Sequence, residues 1–131
     1  MKKIGILNQP ISAVIAGLGH TDMLVIADAG LPIPAEPVRI DLALVQGVPG
    51  FLQTVEAVLR EMKVDKVIVA SETDDHSPRI AEALKALLPD VPFEWVTHQQ
   101  LKELSHEAVA VIRTGEFTPY ANVILVAGVV F

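Results

Sequence analysis

Four short runs of mostly branched aliphatic residues constrain this chain most: "MLVIAD" ending at Asp28, "KVIVA" ending at Ala70, "AVAVI" ending at Ile112 and "NVILV" ending at Val126. Apart from an end residue in some of them, every position is apolar. A strand covered on one face alternates apolar with polar residues, so runs without alternation fit strands buried on both faces. Helical periodicity fills the segments between them. Asn8 can cap a first helix, Pro10 sits in its first turn, Ile11, Val14, Ile15 and Leu18 repeat on one face, and Gly19 is placed to close it. From Gly50, the residues Phe51, Leu52, Val55, Val58, Leu59 and Met62 mark a second amphipathic helix. "PRIAEALKALL" begins another at Pro78, with Ile80, Leu84, Leu87 and Leu88 inward. Thr97 with Gln100 has the form of a capping box, which predicts a short helix from His98 to about Leu104. "VRIDL" and "FEWV" read as shorter strands. "AGLPIPAEP" and the polar, prolyl "SETDDHSP" read as loops. The alternation predicts an α/β fold, a single layered domain over residues 1–131 with a mainly parallel sheet flanked by helices. The last two strands are also able to pair as a wide hairpin.

Size and composition narrow the function classes. The 131 residues fit one domain, which buries roughly two thirds of its unfolded surface. With 51% hydrophobic and 20% charged residues, the chain is apolar for a soluble monomer and points to homo-oligomeric packing. The longest uninterrupted apolar stretch, Val123 to Phe131, falls well short of the about 20 residues a spanning helix needs. The apolar patch of "MKKIGILNQP" is too short for a secretory core, so a cytoplasmic protein without a membrane partner is expected. The lack of cysteine removes disulfides, zinc-thiolate sites and thiol catalysis. Sixteen acidic against ten basic residues, with no basic cluster, argue against nucleic acid as a partner.

In open α/β sheets, sites lie beyond the carboxyl ends of strands. That directs attention to His20 after Gly19, to Asp28 at a strand end, to His98 at a helix start, and to "RTGEFTPYANVIL" between the last two strands. Tyr120 and Asn122 are two apart and, in extended chain, point the same way. Two imidazoles, a carboxylate, a phenol and an amide suit a small polyol. Its hydroxyls take many short hydrogen bonds, and sugar ring opening needs one proton delivered and one removed. Each residue also has a plainer role open to it. His20 can be a helix C-terminal residue favoured by the dipole, Asp28 a turn former, Tyr120 a strand-edge aromatic and Asn122 a turn residue. Arg113 and Glu116 are either a surface pair or orient their loop. Lys102, four residues after His98, either reaches the same pocket or is solvated. His76 and His106 read as solvated surface residues. "GLGHTD" lacks the third glycine of a dinucleotide fingerprint and sits between helix and strand, no Walker A pattern is present, and "DDH" has no supporting ligands for a metal.

Three blocks carry a resemblance: "GILN" near the N-terminus, "GLGHTDMLVIADAGLPIP" from Gly17 to Pro34, and "VIRTGEFTPYANVILVAGVVF" from Val111 to Phe131. In this order and spacing the chain resembles the D-ribose pyranase family, whose relatives include L-fucose mutarotases. The resemblance implies interconversion of the β-pyranose and β-furanose forms of D-ribose without a cofactor or metal. By it, His20 is the catalytic acid, while Asp28, His98 and the Tyr120-Ala121-Asn122 segment bind the sugar, Ala121 through backbone alone; Lys102 joins the sugar-binding set on its spacing from His98. It also implies a homodecamer of two stacked pentameric rings with sites at subunit boundaries. Mutarotation of another monosaccharide such as L-fucose, or sugar binding by a non-catalytic regulatory subunit, are the alternatives.

Overall fold

The computed structural model describes residues 1–131. Six strands form one sheet: β1 (Met23–Ala27), β2 (Val38–Asp41), β3 (Val64–Ala70), β4 (Phe93–Val96), β5 (Ala110–Arg113) and β6 (Val123–Ala127), in the order β2-β5-β1-β6-β3-β4. β5 pairs in parallel with β1 and β2, and β3 in parallel with β4, whereas β6 runs antiparallel between β1 and β3. The sheet is therefore mostly parallel, as the buried runs predict. The hairpin alternative is overturned, because β1 lies between β5 and β6 and takes the ladder bonds of both.

Successive side chains of the central strands alternate between two cores. Leu24 and Ile26 of β1, Val67 and Val69 of β3, Ile112 of β5 and Leu125 of β6 face the larger core, covered by α1 (Gln9–Gly17), α2 (Phe51–Leu59) and α4 (Pro78–Leu87). Val25, Ile68, Val111 and Ile124 face a smaller core under α5 (His98–Leu104). Burial on both faces explains why no polar residue interrupts these runs. At full burial each such side chain contributes about 1.5–3 kcal/mol before entropy is subtracted.

The helix ends follow the local chemistry in two cases and depart from it in two. Asn8 Oδ1 accepts the Ile11 N–H at 3.0 Å, and Pro10 lies in the first turn of α1. Thr97 Oγ1 accepts the Gln100 N–H at 3.1 Å while Gln100 Oε1 accepts the Thr97 N–H at 2.9 Å, the reciprocal box that starts α5 at His98. α1, however, ends at Gly17 with an extended Leu18 as its cap, and Gly19 instead donates its N–H to Asp22 Oδ2 at 2.8 Å. "SETDDHSP" is likewise no loop. Ser71–His76 form α3, separated from α4 by Ser77 alone. Ser, Thr and Asp are weak helix formers, so its stability comes from packing on α4 and from long-range hydrogen bonds that local propensity does not encode.

The connection from β5 to β6 crosses the end of β1 and is stitched to it. Thr114 donates through N–H and hydroxyl to the Ala27 carbonyl at 3.0 and 2.7 Å, and Ala29 N–H donates to the Glu116 carbonyl at 2.9 Å. On its other side, Gly115 N–H donates to the Pro49 carbonyl and its own carbonyl accepts the Gly47 N–H at 2.7 Å. A Cβ at Gly115 would stand 2.6 Å from the carbonyl oxygens of Val45 and Val48, so only glycine lets the two backbones meet.

Candidate active site

All five parallel strands point their carboxyl ends to one edge of the sheet, and antiparallel β6 begins there. That edge gathers Asp28 after β1, α3 after β3, His98 after β4, Arg113 at the end of β5, and the segment leading through Tyr120 and Asn122 into β6. Between them opens a cavity of about 570 Å3, lined among others by Asp28, His98, Arg113, Glu116 and Tyr120. This size lies in the range of small-molecule sites, at the carboxyl edge where α/β sheets place them.

Asp28 is held from two sides. Its Oδ1 accepts the Gly30 N–H at 3.0 Å, and its Oδ2 accepts Asn122 Nδ2 at 3.0 Å. Burial nevertheless outweighs these bonds and pushes the Asp28 carboxyl above the ordinary aspartate range. For Glu116 the balance reverses. Burial opposes its charge, yet the Phe51 N–H at 3.0 Å and the hydroxyl and N–H of Thr118 at 2.8 and 3.3 Å hold it below the usual glutamate range. Arg113 donates to the Ala29 carbonyl at 3.0 Å and to both Asp41 oxygens at 3.1 Å, which fixes one wall of the cavity. Glu116 and Arg113 thus orient the loop and do not pair with each other.

Tyr120 stands between two imidazoles. The His98 ring meets it edge-on at 5.1 Å between centroids, and the His76 ring lies at 5.2 Å. His98 is itself tethered through its N–H to the Glu72 carboxylate at 2.9 and 3.1 Å, and its Nδ1 is the one buried side-chain polar atom without a partner. Buried polar side-chain atoms are paired in the great majority of cases.

The remaining candidates fall elsewhere. Asn122 is 1% exposed and reaches the cavity only through Asp28, and Ala121 is buried with its side chain in the larger core. Lys102 lines an adjoining concavity of about 360 Å3 with Gln99 and Pro34, and Pro32 borders both. His20 sits before β1, at the opposite edge of the sheet, where its Nε2 lies 3.2 Å from Asp65 Oδ2 and its side chain is 57% exposed. Five residues of β1 with their flanks put it on the order of 20 Å from Asp28. Within one chain, His20 and the cavity do not meet. His76, a solvated surface residue by sequence, instead lies beside Tyr120, and Glu72, Thr73 and Ser77, which carry no sequence motif, also border this region. The four-residue spacing of Thr73 and Ser77 is the one sequence signal that brings their hydroxyls to the same side of α3 and its cap.

The sheet and its carboxyl-edge cavity define a single-domain α/β protein with a polar-lined cavity of small-molecule size. The chain belongs to the RbsD / FucU transport protein family, whose sequence profile matches residues 1–130. It is 60% identical over 131 residues to a D-ribose pyranase of Chloroflexus aggregans, covering all of both chains. It is 53% identical to one of Geobacillus thermodenitrificans, covering all of this chain and 99% of that one. Among solved structures, Bacillus subtilis RbsD complexed with D-ribose superposes with a TM-score of 0.97 at 50% identity, both chains fully covered. The fucose mutarotase of Streptococcus pneumoniae in complex with L-fucose gives 0.81 at 23% identity, again over both full chains, and shares the fold. No cluster of three or more His, Asp or Glu side chains is arranged to hold a metal ion, and no helix is long and apolar enough to cross a membrane.

Proposed function

We propose that this chain interconverts the β-pyranose and β-furanose forms of D-ribose, and that a neighbouring subunit supplies the acid. The observation that carries the reading is the gathering of Asp28, His98 and Tyr120 on one cavity while His20, exposed, lies at the far edge of the same sheet. The full-length likeness to D-ribose pyranases supports the substrate.

Ring opening breaks the bond between C1 and the ring oxygen O5. His20 of a neighbouring subunit protonates O5 as the bond breaks, and a base on the Asp28–His98 side, either His98 or a water held by Asp28, takes the proton from O1. The open-chain aldehyde results. Closure runs the same chemistry with O4 as nucleophile: O4 attacks C1, gives up its proton, and the former aldehyde oxygen receives one, so the proton count returns to its start. Imidazole suits the acid role because its ordinary pKa of about 6.5 allows both protonation states at neutral pH, and one such group contributes about 10²- to 10⁴-fold. Tyr120, Asn122 acting through Asp28, the Ala121 backbone and Lys102 from the adjoining concavity hold sugar hydroxyls. No cofactor takes part.

The assembly that fits this reading is a homodecamer of two stacked pentameric rings in the cytoplasm. Exposed apolar residues such as Leu7, Leu44, Val45 and Phe117, each more than half exposed in the single chain, support packing against further copies.

The test is NMR magnetisation exchange between the pyranose and furanose anomeric signals of D-ribose, with and without catalytic protein. Acceleration that vanishes in His20→Ala is expected. Acceleration of L-fucose anomers alone would move the substrate to another monosaccharide, and stabilisation by ribose with no rate effect would make the chain a non-catalytic sugar-binding subunit.

A further inference from the structure

Tyr120 has φ +60°, a left-handed backbone conformation that a bulky L-residue rarely adopts. Such a residue persists only where its surroundings over-determine it. Here the surroundings are one face of α3 and its end. Thr73 Oγ1 donates to the Tyr120 carbonyl at 2.7 Å, and Ser77 Oγ donates to the adjacent Pro119 carbonyl at 2.6 Å. Thr73 is fully buried and Ser77 nearly so, and neither hydroxyl touches the cavity. Asn122 N–H gives the Tyr120 carbonyl a second bond at 2.9 Å.

We propose that Thr73 and Ser77 are positioning residues for Tyr120: their hydroxyls lock the Pro119–Tyr120 backbone in the left-handed turn that holds the phenol against His98 at the sugar cavity. Without them the residue relaxes toward an ordinary φ, and the ring swings away from the imidazoles that flank it. The inference deepens the ribose-binding reading and rests on it for its effect on activity, but the clamp itself is a conformational claim. Because Tyr120 makes ground-state contacts and moves no proton, its displacement raises KM and spares kcat.

Tyr120 is the only tyrosine of the chain, so full-length protein labelled with 3-fluorotyrosine gives a single fluorine resonance. Thr73→Val, nearly isosteric, is expected to shift or broaden that resonance, and Thr73→Ser to restore it. In the ribose exchange assay, Thr73→Val should raise KM roughly tenfold, the scale of one lost buried hydrogen bond, with kcat within about twofold of wild type. In a Tyr120→Phe background the same substitution should add nothing. Ser77→Ala provides the second variant should Thr73→Val fail to fold. An unmoved fluorine resonance in the folded variant, or a KM effect that multiplies with that of Tyr120→Phe, would overturn the proposal. Wild-type protein that leaves ribose exchange unchanged would sink the ribose reading alone, since the fluorine signal still decides the clamp.

Discussion

Asn122 binds Asp28 twice: its Oδ1 accepts the Asp28 backbone N–H at 2.9 Å, and its Nδ2 donates to the Asp28 carboxylate at 3.0 Å. One buried amide therefore fixes both the main chain and the side chain of a residue 94 positions away. Asn122→Ala should destabilise the fold by about 1–3 kcal/mol, the cost of stranding buried polar groups, and should weaken ribose binding because Asp28 loses its orientation. Urea unfolding and calorimetric titration measure the two effects. Wild-type stability in the variant would mean that the pair is not what holds Asp28.

Asp28 and Glu116 respond to pH in opposite senses. Burial raises the folded Asp28 pKa, so between the ordinary carboxylate value and that raised value the folded chain carries more protons than the unfolded one. Its contribution to stability accordingly falls as pH rises through this window. Asp28→Asn removes this loss, and the stability of the variant relative to wild type should climb with pH until the folded Asp28 is fully ionised. Glu116, held low by its hydrogen bonds, contributes stability that is complete above the unfolded pKa and is lost as pH falls through the folded one. Glu116→Gln should flatten that acid limb. Denaturant midpoints across the acid range test both, and parallel curves for the three proteins would contradict both assignments.

His20 and the cavity lie at opposite sheet edges, so a site using both needs two subunits. His20→Ala and Asp28→Ala proteins should each be inactive on ribose. Co-expressed in equal amounts they should regain about one quarter of wild-type activity, because random pairing gives that share of sites an intact residue of each kind. A mixed assembly as inactive as its parents would rule out a shared site.

Gly115 and Gly17 make a matched pair of glycine tests. A Cβ at Gly115 meets backbone atoms of Val45 and Val48 at 2.6–2.8 Å, which cannot give way singly, so Gly115→Ala should cost about 1–3 kcal/mol. Gly17, the last residue of α1 and with nothing within 4 Å, should gain up to about 0.5 kcal/mol as alanine, less than the mid-helix figure. Thermal unfolding of the two variants should shift in opposite directions.

What could be read without the structure was local. The caps at Asn8 and Thr97 are side-chain bonds across three residues, and the doubly buried runs of β1, β3, β5 and β6 are periodicities within a few residues, so both stand in the sequence itself. Asp28 at a strand end and His98 at a helix start were legible for the same reason. The α/β layering, the strand segments and the edge at which most of the polar residues collect all follow from such local patterns. No local pattern shows that β6 runs antiparallel between β1 and β3, that "SETDDH" is helical, that Gly19 is no helix cap, that Tyr120 is left-handed, or that His20 lies at the sheet edge opposite its own cavity. Each of these depends on partners far apart in the chain, such as Ser77 with Pro119, or on which side of β1 a strand inserts. Ladder hydrogen bonds and buried hydroxyls settle such choices only once the sheet has closed around them.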